Sequence, residues 1–448
     1  MKVIDKIKSV YFIGIGGIGM SALARYFKFL GKNVAGYDKT PTQLTRELEE
    51  VGIEIHYEDN IAFIGEEYKD IDSTVVVITP AVPTSHTEWM YFQQAGFEIL
   101  KRSEVLGIIT KDTYCFAVAG THGKTTTTSI LGHLLYQAGV DVTAFVGGVV
   151  ENYQTNLIGS GKTVTVVEAD EFDRSFLRLS PNIACINSTE ADHLDIFGTA
   201  DEMLISFKEF AAKVEDKNLL FVHEDVDLDG VKVGFGADSS FQVKNIRIDN
   251  GWYIFDIVTP KETVSDVRFG LPGHHNLTNA LTAFAMAYVY GVNVSDLVNA
   301  LETFKGVRRR FSYKIRNEKL IFIDDYAHHP TEIKAVSQAV HEMYGDKKIL
   351  AIFQPHLYSR TRDFMEEFGE ALSTFENVVL LDIYPARELP IEGVTSDKLL
   401  ELIKSNSKCL VEKSRLISYI KDFNPEVVLT IGAGDIGEMI NDIKLELE

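Results

Sequence analysis

Short apolar runs alternate along the chain with segments whose apolar residues recur every three or four positions. In the first block the run SVYFIGIG is followed by a segment whose apolar residues repeat at helical spacing: Ala22, Leu23, Tyr26, Phe27 and Leu30. Such runs predict buried strands, and helical spacing predicts the helices that cover them. The pattern therefore predicts an α/β protein built on parallel sheets with helices on their faces.

Two further blocks repeat this alternation. The second contains TYCFAVAG, TVTVVEAD, NIACIN, a polar stretch near 213–270 that alternates like antiparallel strands, and a helix from Asn276 to about Tyr290. The third begins after the arginines at 308–310 and contains the strands KLIFIDD, KKILAIF, NVVLLDIY and EVVLTIG. Polar residues follow these four strands, and ligands bind beyond the carboxyl ends of strands in open α/β sheets. The third block is therefore predicted to face a ligand site.

Composition narrows the class of protein. The 448 residues are 45% hydrophobic and 24% charged, which suits a soluble protein of several domains. The formal net charge of −21 makes nucleic acid and anionic membranes poor partners. The N-terminal segment lacks a signal-peptide layout and the apolar runs are short, so we expect a cytoplasmic protein. Cys115, Cys185 and Cys409 are expected to be buried thiols.

The turn after the first strand carries Gly14, Gly16 and Gly19 in the spacing GxGxxG, with Asp38 at the end of the next strand. Glycines at this spacing allow a diphosphate to approach the N-terminus of a helix. A nicotinamide or flavin dinucleotide, another nucleotide diphosphate such as a UDP-sugar, and purely structural glycines are the alternatives for this turn.

The segment VAGTHGKTTTT has the features of a shortened phosphate-binding loop. Gly120 and Gly123 allow a tight turn whose N–H groups face phosphate, Lys124 adds a positive charge, and Thr125 offers a hydroxyl to Mg²⁺. The strict pattern would also need glycine where this chain has Val118. The hypothesis for this loop is binding of a nucleoside triphosphate, and the alternative is a plain glycine–lysine turn.

Acidic residues follow the next strands of the same block. Glu168, Asp170 and Glu171 come after one strand, and Glu190 and His193 come after the next. Oxygen ligands opposite a phosphate-loop threonine suit Mg²⁺ bound to a nucleotide, and a histidine suits a second metal site. The alternative is a solvated turn with helix caps.

Other polar residues stand at helix starts, at strand ends and between blocks. Asn279 lies near a helix start, where it either caps the helix or touches a base. Arg310 lies at the join of the second and third blocks, from which an arginine can reach a γ-phosphate when domains close. The third block offers further polar side chains beyond its strands, namely Asp325, Tyr326, His328, His356 and Arg360. Together these parts describe an enzyme that uses ATP to join a carboxylate to an amine, because phosphoryl transfer depends mainly on positioning and charge neutralisation.

The chain resembles the Mur ligase family from about residue 10 to about residue 437. The resemblance rests on an ordered set of motifs: IGIGGIGMS, AGTHGKTTTT, EADEFDRSFL, STEADHLD, GHHNLTNAL, GVRRRF, DDYAHHPTE, FQPHLYSRTRDF and TIGAGDI. It implies an N-terminal Rossmann-like domain at 1–106 that binds a UDP-sugar, and a central P-loop ATPase-like domain at 107–313 that binds ATP. A C-terminal Rossmann-like domain at 314–448 would contact the amino acid and the nucleotide.

The resemblance also implies roles for individual residues. UDP-sugar binding is implied for Gly14, Gly16, Gly17, Gly19, Ser21, Asp38 and Thr79. ATP binding is implied for Gly120, Thr121, His122, Gly123, Lys124, Thr125, Thr126, Asn279, Arg310 and Asp325. Amino-acid binding is implied for Tyr326, His328, His356 and Arg360, and metal binding for Thr125, Glu168 and His193. The catalytic residues implied are Lys124, His193, Arg310 and His328.

The implied reaction joins L-alanine to the lactyl carboxylate of UDP-N-acetylmuramate during synthesis of peptidoglycan precursors, with ATP and one or two Mg²⁺ ions. The carboxylate would become an acyl phosphate, the amine would attack it, and a tetrahedral intermediate would collapse, so that amide, ADP and phosphate result. The expected partners are these small molecules, and the protein is expected to be a monomer or a homodimer.

The chain departs from the family pattern at two places, one beside the implied amino-acid site and one at the implied second metal site. Leu357 stands where some relatives carry an arginine, so Arg360 takes more of the contact with the amino-acid carboxylate, and selectivity among L-alanine, glycine and L-serine stays open. Lys208 and Lys213 give no clear match to the carbamylated lysine of other branches. The alternative functions are a murein-peptide ligase on the same nucleotide sugar, which the compact EADEFDRSFLRLSP disfavours, a nucleotide-sensing binding protein, and a dehydrogenase fused to a kinase.

Overall fold

Three sheets with helices packed on them form the protein, which confirms the predicted α/β class. The computed structural model describes residues 6–190, 199–249, 251–386 and 388–448. The chain divides into a first unit and a second unit. The first consists of Met1–Lys244, Asp256–Val267 and Thr278–Phe304, and the second of Asn245–Phe255, Arg268–Leu277 and Lys305–Glu448. The domain boundaries at 106/107 and 313/314 stay predictions.

The first sheet is parallel and carries the glycine turn. Its strands are β1 Ser9–Ile13, β2 Asn33–Tyr37, β3 Glu54–His56, β4 Thr74–Ile78 and β5 Glu98–Lys101, in the order β3-β2-β1-β4-β5. The accompanying helices are α1 Ile18–Phe29, α2 Gln43–Glu50, α3 Thr87–Gln94 and α4 Arg102–Ile109. Because the strands are parallel, the turn that follows the central strand β1 lies at the carboxyl edge of the sheet.

The second sheet carries the phosphate-type loop after one of its central strands. Its strands are β6 Tyr114–Ala119, β7 Val142–Val150, β8 Thr155–Ile158, β9 Val164–Glu168, β10 Ile183–Ile186, β11 Leu220–His223, β12 Val231–Gly234, β13 Phe241–Asp249, β14 Trp252–Val258 and β15 Thr263–Phe269. Their order is β15-β14-β13-β12-β11-β10-β6-β9-β7-β8. Helices of this part of the chain are α5 Lys124–Gln137, α6 Ala200–Ala211, α7 His274–Tyr290 and α8 Val294–Thr303.

The prediction of antiparallel pairing near 213–270 is wrong for the first strands of that stretch. β11 pairs with β12 in parallel, and β12 pairs with β13 in parallel. Alternation of apolar and polar residues shows that one face of a strand is buried, but it does not reveal the direction of the neighbouring strand. The sequence pattern therefore located these strands and could not orient them.

The third sheet is parallel except at one edge. Its strands are β16 Ser312–Arg316, β17 Ile321–Asp325, β18 Ile349–Phe353, β19 Asn377–Leu380, β20 Ser407–Leu410 and β21 Val427–Ile431, in the order β16-β17-β21-β18-β19-β20. Only the pair of β16 and β17 is antiparallel among the registers of this sheet. The helices are α9 Pro330–Tyr344, α10 Tyr358–Asp363, α11 Met365–Leu372, α12 Ser396–Leu402, α13 Lys413–Phe423 and α14 Ile440–Leu447.

Burial agrees with most of the expectations drawn from composition. Cys115 and Cys185 are buried as expected, whereas Cys409 is only partly buried, because its short strand β20 lies at the edge of the third sheet. Within the part of the chain that the structure describes, every helix is too short or too polar to span a lipid bilayer.

A buried polar cluster joins the first sheet to α3. Tyr11 Oη donates a hydrogen bond to Glu88 Oε2 at 2.9 Å and lies 2.7 Å from His56 Nε2. The backbone N–H of Asn60 donates to Glu88 Oε1 at 3.2 Å. Burial raises the pKa of the Glu88 carboxyl to about 7, although both hydrogen bonds act in the opposite direction. Folding therefore favours the protonated form of this carboxyl.

Glu88 is expected to make the free energy of unfolding fall as the pH rises. The unfolded chain releases this proton near pH 4.5 and the folded chain near pH 7, so the stability present below pH 4.5 is lost as the pH rises through about 7. Glu88→Gln removes this titration and should make the loss of unfolding free energy across this pH range smaller by about 2–4 kcal/mol. Urea unfolding of both proteins across this pH range measures the difference. The exposed Glu66→Gln is the control, and equal pH dependence in Glu88→Gln and the unmodified protein would contradict the assignment.

Candidate active site

The glycine–lysine loop lies between β6 and α5, as the sequence predicts. Gly120 has φ +129° and Gly123 has φ +79°, a backbone region that side-chain-bearing residues rarely adopt. A Cβ on Gly120 would lie 2.8 Å from the backbone nitrogen of Ser188, and a Cβ on Gly123 would lie 2.5 Å from Asn279 Oδ1. Conformation and space therefore both require glycine at these two positions.

Lys124 is the first residue of α5, and its ammonium group is held inside the loop. Lys124 Nζ donates to the carbonyl of Gly120 at 2.7 Å and to both carboxylate oxygens of Glu171 at 2.9 Å. The side chain of Glu171 is 1% exposed. A buried carboxylate needs such a partner, so this ion pair fixes the positive charge beside the loop.

Two oxygen-bearing side chains that are candidates for metal binding lie together beside the loop. Thr125 Oγ1 donates to Glu168 Oε2 at 3.2 Å, and the backbone N–H of Gly147 donates to Glu168 Oε1 at 2.5 Å. Hydroxyl and carboxylate oxygens are ligands that Mg²⁺ accepts, so this pair fits the ion. The third predicted ligand, His193, lies outside the described residues. Among the described residues, no group of three or more histidine, cysteine, aspartate or glutamate side chains is placed to hold a metal.

The threonines after Lys124 are buried and hold distant segments against α5. Thr127 Oγ1 donates to Asn279 Oδ1 at 3.1 Å and accepts a hydrogen bond from Asn187 Nδ2 at 2.9 Å. Thr126 is also buried. Asn279 is therefore fixed against the start of α5, and its predicted contact with adenine stays a prediction.

The segment after β10 supports the other side of the loop. Ser188 Oγ lies 2.6 Å from Thr121 Oγ1 and accepts from the backbone N–H of His122 at 2.9 Å. His122 is exposed, with its Nε2 3.3 Å from a carboxylate oxygen of Glu190. Sequence reasoning did not single out Ser188 or Asn187. The local feature that could have indicated these two residues is their position, as a polar pair directly after the apolar run NIACI.

The glycine turn after β1 collects the predicted UDP-sugar residues. The backbone N–H of Gly16 donates to Asp38 Oδ2 at 2.7 Å. Gly14 has φ +86°, and a Cβ there would overlap the methyl group of Thr79. Gly17 directly precedes α1. Asp38 and Thr79 therefore lie against the turn, and their contact with a UDP-sugar stays a prediction.

Ser21 differs from the other members of this set because it is buried inside the first unit. Its hydroxyl donates to the carbonyl of Ile18 at 2.9 Å and accepts from Asn156 Nδ2 at 2.9 Å. These bonds place the hydroxyl in the fold rather than at the surface of the turn. Its contact with a UDP-sugar stays a prediction.

Arg102 lies against the glycine turn, although sequence reasoning did not select it. A Cβ on Gly19 would lie 2.7 Å from Arg102 Cδ and 3.0 Å from Arg102 Nη1. Arg102 Nη2 lies 3.5 Å from Asp170 Oδ2. One feature of the sequence could have indicated Arg102. It is a basic residue at the first position of α4, which is unusual because the N-termini of helices favour acidic residues.

In the second unit, Asp325 ties together the two segments that carry predicted ligand residues. Its Oδ2 accepts from the backbone N–H of Phe311 at 2.6 Å, and its Oδ1 accepts from that of Ala327 at 2.7 Å. Burial raises the pKa of Asp325 to about 7 against these hydrogen bonds. Arg310 is exposed and lies between two residues with positive φ, Arg309 at +62° and Phe311 at +46°. Asp325 thus holds the strained segment that carries Arg310, through its hydrogen bond from Phe311.

The predicted amino-acid residues also lie together in the second unit. The rings of Tyr326 and His328 are 5.3 Å apart, those of His328 and His356 are 6.4 Å apart, and Arg360 Nη1 is 3.4 Å from His356 Nδ1. Burial, and then the charges of Arg360 and His328, lower the pKa of His356. Leu357, the departure from the family pattern, has φ +72° at the start of α10. A neutral imidazole beside a guanidinium suits a bound amino acid with a carboxylate.

Comparisons with known proteins identify the family of this chain. Family models match the Mur ligase family catalytic domain at residues 9–114, the Mur ligase middle domain at 118–287, and the Mur ligase glutamate ligase domain at 309–434. A UDP-N-acetylmuramate--L-alanine ligase of Flavobacterium psychrophilum is 63% identical over 445 residues, which cover 99% of each chain.

Solved structures agree as well. The crystal structure of UDP-N-acetylmuramate-alanine ligase from Thermotoga maritima has a TM-score of 0.84 at 28% identity and covers 98% of this chain and 99% of that one. A murein peptide ligase from Psychrobacter arcticus has a TM-score of 0.66 at 22% identity, with 98% of each chain covered, and shares the fold. The predicted three-domain α/β fold is confirmed. The chain belongs to the Mur ligase family.

Proposed function

We propose that this protein is an ATP-dependent ligase that joins L-alanine to the lactyl carboxylate of UDP-N-acetylmuramate, a step in the synthesis of peptidoglycan precursors. The observation that carries the proposal is the glycine–lysine loop, in which Lys124 is held by buried Glu171 and Thr125 lies beside Glu168. The loop occurs in a chain 63% identical to a ligase named for this reaction. The loop accounts for activation of the carboxylate by ATP, and the name of the relative indicates which carboxylate and which amine are joined.

The first half-reaction transfers the γ-phosphoryl group of ATP to the lactyl carboxylate, giving an acyl phosphate and ADP. Backbone N–H groups from Gly120 to Thr125 and the Lys124 ammonium would bind the phosphate oxygens and stabilise the charge of the transition state. Glu171 accepts two of the hydrogen bonds that Lys124 donates, so a bound nucleotide would compete with it for the ammonium. Binding of the phosphate oxygens by these groups would accelerate the transfer without a protein nucleophile.

Mg²⁺ would be held by Thr125 and Glu168, and His193 remains the candidate ligand for a second ion. When bound, the ion neutralises charge on the phosphate oxygens. Glu168 is already oriented by the N–H of Gly147, so its second oxygen faces Thr125 without rearrangement.

In the second half-reaction, the amine of L-alanine attacks the acyl carbon, and the tetrahedral intermediate loses phosphate to leave the amide. Arg360 would bind the carboxylate of L-alanine, and His356 and His328 would lie beside the amine, where a neutral imidazole is able to accept a proton. The lowered pKa of His356 supports this role, because it keeps the ring neutral near pH 7.

Phosphate release from ATP tests the proposal. The assay contains Mg²⁺ and UDP-N-acetylmuramate, and compares L-alanine, glycine, L-serine, a tripeptide containing L-Ala-D-Glu, and no amino acid. We expect release that requires the nucleotide sugar and is greatest with L-alanine. Release with the tripeptide alone would assign the protein to the murein-peptide branch, and release without the sugar would indicate a nucleotide-sensing protein.

A further inference from the structure

Building on the proposed function, we propose that Arg309 is a positioning residue, whose guanidinium group holds the backbone that directs Arg310 and holds the ring of Tyr326 in place. Arg310 is the predicted contact of the γ-phosphate, and Tyr326 is a predicted contact of the amino acid. Three observations support this role: the contacts of the guanidinium group, the glycine that leaves room for it, and the strained backbone on either side of Arg310.

The guanidinium group of Arg309 joins the ends of two neighbouring strands, β17 and β21. Its Nη2 donates a hydrogen bond to the carbonyl of Gly432, directly after β21. Its Nε lies 3.5 Å from Oδ2 of Asp324 in β17, whose side chain is 1% exposed. Its central carbon lies 4.9 Å from the centre of the Tyr326 ring, which is a cation–π distance. One planar side chain therefore holds both strand ends and the aromatic ring that follows β17.

Gly437 leaves room for this guanidinium group. It lies in the short helical segment Asp435–Met439 that follows β21. A Cβ at position 437 would lie 2.5 Å from Nη1 and 2.6 Å from Cζ of Arg309. An alanine there would therefore push the guanidinium group out of its position. Because the displaced atoms are the end of a flexible side chain, the rest of the fold can keep its place when they move.

The backbone on either side of Arg310 is strained. Arg309 has φ +62° and Phe311 has φ +46°, values that residues with side chains seldom adopt. The carbonyl of Arg309 accepts a hydrogen bond from the backbone N–H of Tyr326 at 2.7 Å, and the N–H of Phe311 donates to Asp325 at 2.6 Å. Strain of this kind persists only where the surrounding contacts hold it, and it is common at functional sites. The side chain of Arg310 is exposed, so its direction depends on these flanking residues.

An arginine suits this task because its planar fork reaches two acceptors while its face lies on an aromatic ring. The guanidinium group would act without touching a ligand. It would affect phosphoryl transfer through the direction of Arg310, and L-alanine through the ring of Tyr326. Its loss should therefore lower turnover and the apparent affinity for L-alanine together. The nucleotide sugar should be unaffected, because its predicted residues belong to the turn after β1 of the first sheet.

Steady-state kinetics of L-alanine ligation tests the proposal. We expect Arg309→Ala to lower kcat about ten-fold or more and to raise KM for L-alanine about three-fold or more, because Arg310 and Tyr326 both lose their support. KM for UDP-N-acetylmuramate should stay unchanged. Arg309→Lys should recover part of both effects, since an ammonium group can still lie over the Tyr326 ring but lacks the fork.

Gly437→Ala displaces the same guanidinium group without removing it. We expect this variant to show the kinetic pattern of Arg309→Ala at a smaller size. The double variant should be no worse than Arg309→Ala alone, because no guanidinium group is then left to displace. Effects that multiply in the double variant would show that Gly437 acts independently of Arg309 and would overturn the proposal, as would unchanged kinetics in Gly437→Ala.

Arg316→Ala is the matched control for loss of stability. The central carbon of the Arg316 guanidinium group lies 4.3 Å from the centre of the Tyr313 ring, and its Nη2 donates to the carbonyl of Gly251 at 2.7 Å. Arg316 thus makes the same two kinds of contact, and neither partner is a predicted ligand residue. This variant should lose thermal stability as Arg309→Ala does and keep kcat and both KM values.

The remaining outcomes separate this role from a structural one. Lower thermal stability in Arg309→Ala with unchanged kcat and KM would overturn the proposal and leave the proposed function intact. An equal rise of KM for UDP-N-acetylmuramate would indicate a general defect and would also overturn it. If the unmodified protein did not ligate L-alanine, the proposed function and this inference would both fail. Gly437→Ala keeps the test decisive if Arg309→Ala does not fold.

Discussion

Lys124→Ala is expected to lower L-alanine ligation by about two to three orders of magnitude or more. The ammonium is the one side-chain cation that the structure places inside the glycine–lysine loop among the described residues, where it would stabilise the charge of the transferring phosphoryl group. Binding of UDP-N-acetylmuramate should change little, because the glycine turn that would bind it follows β1 of a different sheet. Phosphate release measures the first effect, and calorimetry measures the second.

Because Lys124 is paired with Glu171, the experiment on Lys124→Ala needs a control for loss of stability. Removing the ammonium leaves a buried carboxylate without its partner, which typically costs about 3–5 kcal/mol. The double variant Lys124→Ala with Glu171→Gln should therefore recover thermal stability without recovering turnover. If turnover returned with stability, Lys124 would serve the fold rather than phosphoryl transfer, and comparable loss of UDP-sugar binding in the single variant would contradict the separation of the two sites.

The two glycine turns could be predicted because their determinants are local. In each case an apolar strand, a few loop residues and a helix follow one another within about 25 residues, and the first glycine of each turn, Gly14 or Gly120, has positive φ. Asp38 was identified in the same way, since consecutive parallel strands end at the same edge of a sheet. Local order along the chain was sufficient for these features.

The partners of these turns could not be predicted because they depend on tertiary packing. Thr127 and Asn279 are 152 positions apart, and Lys124 and Glu171 are 47 apart. Which residues meet depends on the order and direction of strands, and the parallel pairing of β11, β12 and β13 shows that alternation alone does not fix direction. Arg102 was missed for the same reason, since its contact with Gly19 joins two helix starts in space.

Gly123→Ala is expected to reduce turnover about a hundred-fold or more, chiefly through the use of ATP. The new Cβ would lie 2.5 Å from Asn279 Oδ1 and 3.0 Å from Asn187 Nδ2, so the loop or both asparagines must move. A displacement of about 1 Å in a positioning element is enough for a loss of this size. Steady-state kinetics with varied ATP measures the change.

Gly139→Ala separates this clash from the cost of the backbone conformation. Gly139 follows the C-terminal end of the same helix α5 and has nearly the same φ of +77°, and a Cβ added there would meet no atom of the described residues within 4 Å. Both variants therefore carry the left-handed strain of about 1–2 kcal/mol, and only Gly123→Ala disturbs the contacts beneath the loop. Equal losses of turnover would attribute the effect to backbone strain. Loss in Gly123→Ala alone, with similar stability in both variants, would show that the asparagines under the loop position it for ATP.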